Sequence, residues 1–151
     1  MEREIKFRAW DNSWTIKEMI YFGIFDTDDG LHCKDGVTDI REAEIMQYTG
    51  LKDKNGKEIY EGDMLMIHQI DSNRKEVARA KNLVRWNLGE AKFDFEWCTN
   101  GLIGVGGSSF SLFLHNFRKP ANKESALDWY FEIEVIGNIY ENPELLKSAK
   151  G

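Results

Sequence analysis

Gln47-Tyr48-Thr49-Gly50-Leu51-Lys52-Asp53-Lys54-Asn55-Gly56-Lys57-Glu58-Ile59-Tyr60-Glu61-Gly62-Asp63 is the stretch from which the fold of this chain is read. Asn55-Gly56 is its strongest signal. A type I′ hairpin turn needs positive φ at both central residues, and Asn and Gly tolerate that best. Such a turn sets Lys54 against Lys57, Asp53 against Glu58, Lys52 against Ile59 and Leu51 against Tyr60. The like charges nearest the turn are poor cross-strand partners, so the tip is expected in solvent. Tyr60-Glu61-Gly62-Asp63 then reads as a bend, with Gly62 supplying backbone freedom and Asp63 an acceptor for nearby amides. Met64–Ile70 follows as a largely apolar strand. Asn55, Gly56, Gly62 and Asp63 are thus structural turn residues, the hinge of a small barrel rather than a reactive site.

Outward from this stretch the chain reads mostly as strands. Ile5–Trp10 sets Ile5, Phe7 and Ala9 against Lys6, Arg8 and Trp10, the alternation of a strand with one buried face. Trp14–Phe22 is read as a second strand, and the Asp- and Gly-rich Gly23–Asp39 as a loop or short hairpin. Arg41, Glu42, Ala43 and Glu44 favour helix, so Thr38–Glu44 is expected to form a helical turn. Asp71–Lys81 is a polar connection, and Leu83–Trp86 is a strand. Ala91, Phe93, Phe95 and Trp97 alternate with Lys92, Asp94, Glu96 and Cys98, the clearest half-buried strand of all. Leu102–Val105, Phe110–Leu114 and Trp129–Ile136 are further strands, with a polar connection over Asn116–Leu127 and a bulge at Gly137. Asn142-Pro143-Glu144 opens a short C-terminal helix, Asn as N-cap, Pro at the first helical position and Glu complementing the dipole.

The sum is a mainly β chain forming a single domain over residues 1–151. Its middle and late strands are expected to close an SH3-like small barrel, alternatively an OB-like one, with the N-terminal strands added and the short helix at the end. At 151 residues, roughly 68–70% of the unfolded surface can be buried. Apolar content of 42%, with five Trp and nine Phe, supplies the side chains for that core.

Ile45-Met46-Gln47-Tyr48-Thr49-Gly50-Leu51 followed by Asp53-Lys54-Asn55-Gly56-Lys57-Glu58-Ile59-Tyr60-Glu61-Gly62-Asp63 closely resembles the central motif of the YopX family. The start, Arg3-Glu4-Ile5-Lys6-Phe7-Arg8-Ala9-Trp10-Asp11, resembles the family's N-terminal signature. The end, Glu134-Val135-Ile136-Gly137-Asn138-Ile139-Tyr140-Glu141-Asn142-Pro143-Glu144-Leu145-Leu146, resembles its C-terminal one. Three motifs in order span the chain, while residues 12–44 and 71–130 match only loosely. The resemblance implies a phage or prophage origin and the fold. It implies no activity, cofactor or catalytic residue.

The residues themselves argue against several chemistries. Asp26-Thr27-Asp28-Asp29-Gly30 is acidic enough for calcium, but an EF-hand needs Gly at its sixth place and Glu at its twelfth, where Leu31 and Val37 stand. His32, His68 and His115 with Cys33 and Cys98 show no CxxC or HxxxH spacing, and adjacent His32 and Cys33 in a strand would point to opposite faces. No metal and no cofactor are therefore expected, the two cysteines are read as reduced thiols, and His68 as a half-buried strand residue. Gly104–Ser109 lacks the Gly-Lys-Ser/Thr end of a phosphate-binding loop and reads as a hairpin tip. A net charge of −6 disfavours wholesale nucleic-acid binding. Met1-Glu2-Arg3-Glu4 does not read as a signal peptide, and no apolar run approaches the ~18 residues of a membrane span, so a cytoplasmic chain is expected.

Three function classes follow in order. The first is a non-enzymatic binding module acting through an unknown protein partner or self-association, its aromatic surplus leaving apolar surface exposed. The second is a nucleic-acid-binding module using Arg74, Lys75, Arg79, Lys81 and Arg85, a basic run followed by Trp86. The third is a metal-dependent hydrolase built on Asp26–Asp29.

Overall fold

Alternation of apolar and polar residues decides most of the architecture. In the computed structural model, residues 4–12, 17–23, 31–33, 36–38, 43–97 and 129–147 are described. They form strands β1 (Lys6–Asp11), β2 (Glu18–Gly23), β3 (Leu31–Cys33), β4 (Gly36–Thr38), β5 (Ala43–Lys52), β6 (Glu58–Tyr60), β7 (Asp63–Asp71), β8 (Glu76–Asn87), β9 (Lys92–Trp97) and β10 (Trp129–Asn138), and a single-turn helix α1 (Glu144–Lys147). The mainly β fold and the short C-terminal helix are as the sequence predicts. The expected strands at 102–105 and 110–114, the connection at 116–127 and Asp26–Asp29 lie outside the described residues.

Two compact units divide the chain. One is drawn from Met1–Leu51 and Glu58–Glu61, the other from Lys52–Lys57 and Gly62–Gly151. The first carries a sheet in the order β2-β1-β5-β6, besides the small β3–β4 hairpin. β1 pairs antiparallel with both β2 and β5, setting Ala9 opposite Ile20 and Ile45. On that face Phe7 stacks on Phe22 at 5.7 Å, and Ala9 and Ile20 are buried. The opposite face gathers aromatics and cations. Arg8 is buried, its guanidinium 4.9 Å from the Tyr60 ring centre and its Nη2 donating to the Glu61 carbonyl at 3.0 Å. Burial, and then a hydrogen bond to Glu58 at 2.8 Å, hold the Tyr60 hydroxyl well above the usual phenol range.

The second unit carries an antiparallel sheet in the order β10-β7-β8-β9. Its registers place Ile133 beside Ile67 and Ala80, and Val84 beside Phe95. With Leu65, Phe131 and Val135 these residues make one continuous buried apolar face, as period-two patterning requires. The other face sets Glu132 beside His68 and Arg79, and Glu134 beside Met66 and Lys81. The β10–β7 register shifts between Val135 and Gly137, the bulge expected there.

Three local expectations are corrected. Ala43 and Glu44, expected in a helical turn, begin β5, because pairing with Asp11 and Trp10 of β1 outweighs their helix propensity, a small effect beside tertiary pairing. Glu76–Lys81, expected in a connection, is strand: β8 runs 12 residues from Glu76, its charges on the polar face and the small Ala78 and Ala80 inward. The central turn is not type I′. Gly56 has φ of 84°, but Asn55 does not have positive φ. The Gly56 amide donates to the Asp53 carbonyl at 3.0 Å and the Asp53 amide to the Lys57 carbonyl at 2.8 Å. This is a three-residue loop closed by a glycine in the left-handed region, and it sets Asp53, not Lys54, against Lys57. Asp53 wins because its side chain can cap the loop from inside: Oδ1 accepts the amides of Asn55 at 2.8 Å and Lys57 at 2.9 Å.

Candidate functional site

The basic residues singled out from the sequence all lie in the second unit, on and before β8. Arg74 and Lys75 sit in the turn between β7 and β8. There the Asp71 carboxylate accepts the amides of Asn73 and Lys75, both at 2.9 Å, and Arg74 is held at φ 63°. Both cations are exposed, and neither side chain makes an ion pair among the described residues. Arg79, Lys81 and Arg85 follow on one face of β8 by the strand's period of two. That face also carries counter-charges. Arg79 Nε lies 4.0 Å from Glu76 Oε1, Arg85 pairs with Glu96 across the β8–β9 ladder, and Lys81 Nζ donates to the Leu145 carbonyl at 3.2 Å. The Arg79 and Arg85 pairs are open to solvent, where each contributes at most about 1 kcal/mol. They nonetheless cancel the local positive field.

A second cluster on this face was not visible in the sequence. His68 Nδ1 lies 2.5 Å from Glu76 Oε2, and its Nε2 is 3.6 Å from Glu134 Oε2. Lys54 Nζ binds the same Glu134 oxygen at 2.7 Å. The Lys54 hydrogen bond, and then its charge, hold the Glu134 carboxyl below the usual range, and Glu134 raises Lys54 in turn. His68 is half-buried, as expected of a strand residue. The β7–β8 hairpin brings Glu76 to it from eight residues along the chain, and only the β10–β7 pairing brings Glu134. Among the described residues no group of three or more His, Cys, Asp or Glu is placed to hold a metal ion. His32 and Cys33 fall in β3, while Cys98, His115 and Gly104–Ser109 are outside the described residues.

The end of the β8–β9 hairpin is apolar and exposed. Trp86 is 40% and Leu88 88% exposed, and Trp86 meets Phe93 edge to face at 5.0 Å. The loop carrying Leu88 is ordered by Asn87, whose Oδ1 accepts the amides of Gly89 at 3.0 Å and Glu90 at 3.2 Å.

Four turn residues are singled out from the sequence, and the structure adds a fifth. Asn55 and Gly56 form the tip. Gly62 is locked by two backbone bonds, its amide to the Val84 carbonyl at 2.9 Å and its carbonyl from the Ile139 amide at 3.0 Å. Asp63 is buried at the start of β7. The addition is Asp53, whose second oxygen, Oδ2, accepts the Val135 amide of β10 at 3.1 Å, while the Lys54 amide donates to the Ile133 carbonyl at 2.9 Å.

No helix among the described residues is long and apolar enough to cross a membrane. No match is found among curated proteins. Among solved structures, the crystal structure of protein EF1440 from Enterococcus faecalis is similar, with a TM-score of 0.50 and 29% identity over 96% of this chain and 99% of that one. The profile of the YopX protein family matches residues 6–147. With nearly its whole length matched, and with the start, centre and end motifs in that order, the chain belongs to the YopX family.

Proposed function

We propose that this chain is a non-enzymatic binding module that acts by protein–protein contact, with a partner or with a second copy. The observation that carries the reading is the β8–β9 hairpin end, where Leu88 stands 88% exposed next to Trp86 at 40%. Large apolar groups held out by an ordered loop are a feature of interaction surfaces. The charged face beside them argues in the same direction, because most of its cations already have carboxylate or carbonyl partners. The two units are taken as one functional domain, 1–151, since neither is a continuous piece of chain. An SH3-type closure of the strands, a phage or prophage origin and a place in the cytoplasm of the bacterial host belong to the same proposal.

The test compares the wild-type chain with Leu88→Asp. Sedimentation velocity across a concentration series reads self-association, and affinity capture from bacterial lysate reads a foreign partner. The expected result is association by one route that Leu88→Asp abolishes. A wild-type chain that stays monomeric and recovers nothing above background overturns the reading.

Nucleic-acid binding through Arg74, Lys75, Arg79, Lys81 and Arg85 is the second reading. It is favoured by one observation: Arg74 and Lys75 project from the β7–β8 turn with no ion pair among the described residues. Fluorescence anisotropy with labelled single-stranded and duplex DNA at low salt tests it. Binding that weakens steeply with salt, and in a variant carrying Arg74→Glu and Lys75→Glu, supports it. Absence of binding ends it.

A further inference from the structure

The chain makes the same five-residue turn twice. Asp53-Lys54-Asn55-Gly56-Lys57 and Asp71-Ser72-Asn73-Arg74-Lys75 share Asp, Asn and Lys at matching places. Their hydrogen bonds also match. The Asp amide donates to the Lys carbonyl at 2.8 Å in the first and 2.9 Å in the second, and the amide of the fourth residue donates to the Asp carbonyl at 3.0 Å in both. In both, Asp Oδ1 accepts the amides of the Asn and the Lys. The fourth residue is left-handed in both, Gly56 at φ 84° and Arg74 at φ 63°.

This bonding leaves two groups of each turn unused: the second carboxylate oxygen of the Asp, and the backbone amide of the residue after it. In the first turn these two groups grip the edge of a strand. Asp53 Oδ2 accepts the Val135 amide at 3.1 Å, and the Lys54 amide donates to the Ile133 carbonyl at 2.9 Å. Glu134, between those two residues, is held by Lys54 Nζ at 2.7 Å. In the second turn the corresponding groups are Asp71 Oδ2 and the Ser72 amide. Ser72 is exposed, and neither group has a hydrogen bond among the described residues.

We infer that the Asp71–Lys75 turn is a second strand-edge clamp, whose occupant is an extended segment of a partner protein with an apolar–acidic–apolar sequence. The acceptor and the donor are already oriented by the turn, so little ordering is lost when a strand edge meets them. Main-chain capture of an edge strand is a general mode of peptide recognition. The acidic preference follows from the rim: Arg74 and Lys75 offer cations there, as Lys54 does to Glu134 in the first turn. Arg74 itself stands in a backbone conformation that Gly adopts without strain, which places its charge at the clamp. The inference rests on the binding-module reading and names where and how such a module would hold a partner.

The test uses the full chain labelled with nitrogen-15 and a capped synthetic peptide with the sequence Tyr130–Ile136, the segment that the first clamp holds. Titration is expected to shift the Ser72 and Asn73 amides saturably and to leave the Lys54 amide, already bonded, in place. Asp71→Asn keeps Oδ1 and hence the turn, but replaces Oδ2 by a donor. It is expected to weaken peptide binding roughly tenfold or more, the size of a lost hydrogen bond to a carboxylate, with the rest of the spectrum unchanged. A Ser72 amide that does not move, or an Asp71→Asn chain that binds equally well, overturns the clamp. Ser72 shifts that depend on protein concentration without peptide overturn the foreign partner in favour of a second copy. A silent Ser72 alongside association that still depends on Leu88 removes the clamp and leaves the binding module standing.

Discussion

Asp53 Oδ2 accepts the backbone amide of Val135 at 3.1 Å, a bond between residues 82 apart in sequence. The same carboxylate closes its own turn through Oδ1. One side chain thus shapes the central loop and ties it to the edge of β10, whose unpaired groups would otherwise need another partner.

Asp53→Asn separates these two roles, because it keeps the turn and removes the acceptor for Val135. The expected cost is about 1.5–3 kcal/mol, that of a hydrogen bond to a charged group. Urea unfolding at neutral pH measures it. An unchanged midpoint and slope would mean that the Val135 bond contributes nothing.

Acid should reveal the same residue. Burial alone would raise the Asp53 carboxyl, but the amides of Val135, Lys57 and Asn55, aided by the Lys57 charge, outweigh it and hold it below its ordinary value. A depressed folded value means a contribution that is complete above the unfolded carboxylate's value of about 3.9 and disappears as pH falls through the folded one. The stability gap between wild type and Asp53→Asn should therefore be constant near neutrality and close at the acid end. A gap that persists at the lowest pH where the fold survives would assign it to something other than the ionised carboxylate.

The twin turns predict opposite outcomes for opposite exchanges. Arg74→Gly relieves a left-handed Arg and should stabilise by about 0.5–1 kcal/mol. Gly56→Val forces a β-branched residue to φ 84° and should cost about 1–2 kcal/mol or more. Thermal melts of the two variants should move in opposite directions.

Gly137 is required by close packing. A Cβ there would lie 2.5 Å from Asn142 Oδ1 and 2.7 Å from Leu145 Cδ1. Gly137→Ala should cost about 1–3 kcal/mol as the C-terminal segment is pushed away. Limited proteolysis should then cut near α1 sooner than in wild type.

Asn82 is 0% exposed on the apolar face of β8, and among the described residues neither of its amide atoms finds a hydrogen-bond partner. Asn82→Leu removes that desolvation cost and is expected to stabilise by about 1–3 kcal/mol. A loss of stability instead would show that the amide is satisfied in the folded chain.

The sequence by itself determined what short-range chemistry controls. Period-two alternation placed β1 and β9, a largely apolar run after the central turn placed β7, Asn142-Pro143-Glu144 placed α1, and three ordered motifs placed the family. It misjudged Ala43–Glu44 and Glu76–Lys81, where helix propensity and polar composition are weak forces against the pairing of a strand with its neighbours. It located the central turn but not its type, because the competition between Asn55-Gly56 and the Asp53 carboxylate is decided by hydrogen-bond geometry. The tertiary structure alone decided partnership. Arg79, Lys81 and Arg85 read as a positive run in one dimension, and the carboxylates of Glu76 and Glu96 and the Leu145 carbonyl reach them only once the sheet is folded. The Asp53–Val135 bond and the Glu134 side of the His68 cluster likewise depend on register and long-range closure. Charge and hydrophobicity belong to residues, whereas a hydrogen bond belongs to a pair, and the pairs are set by the fold.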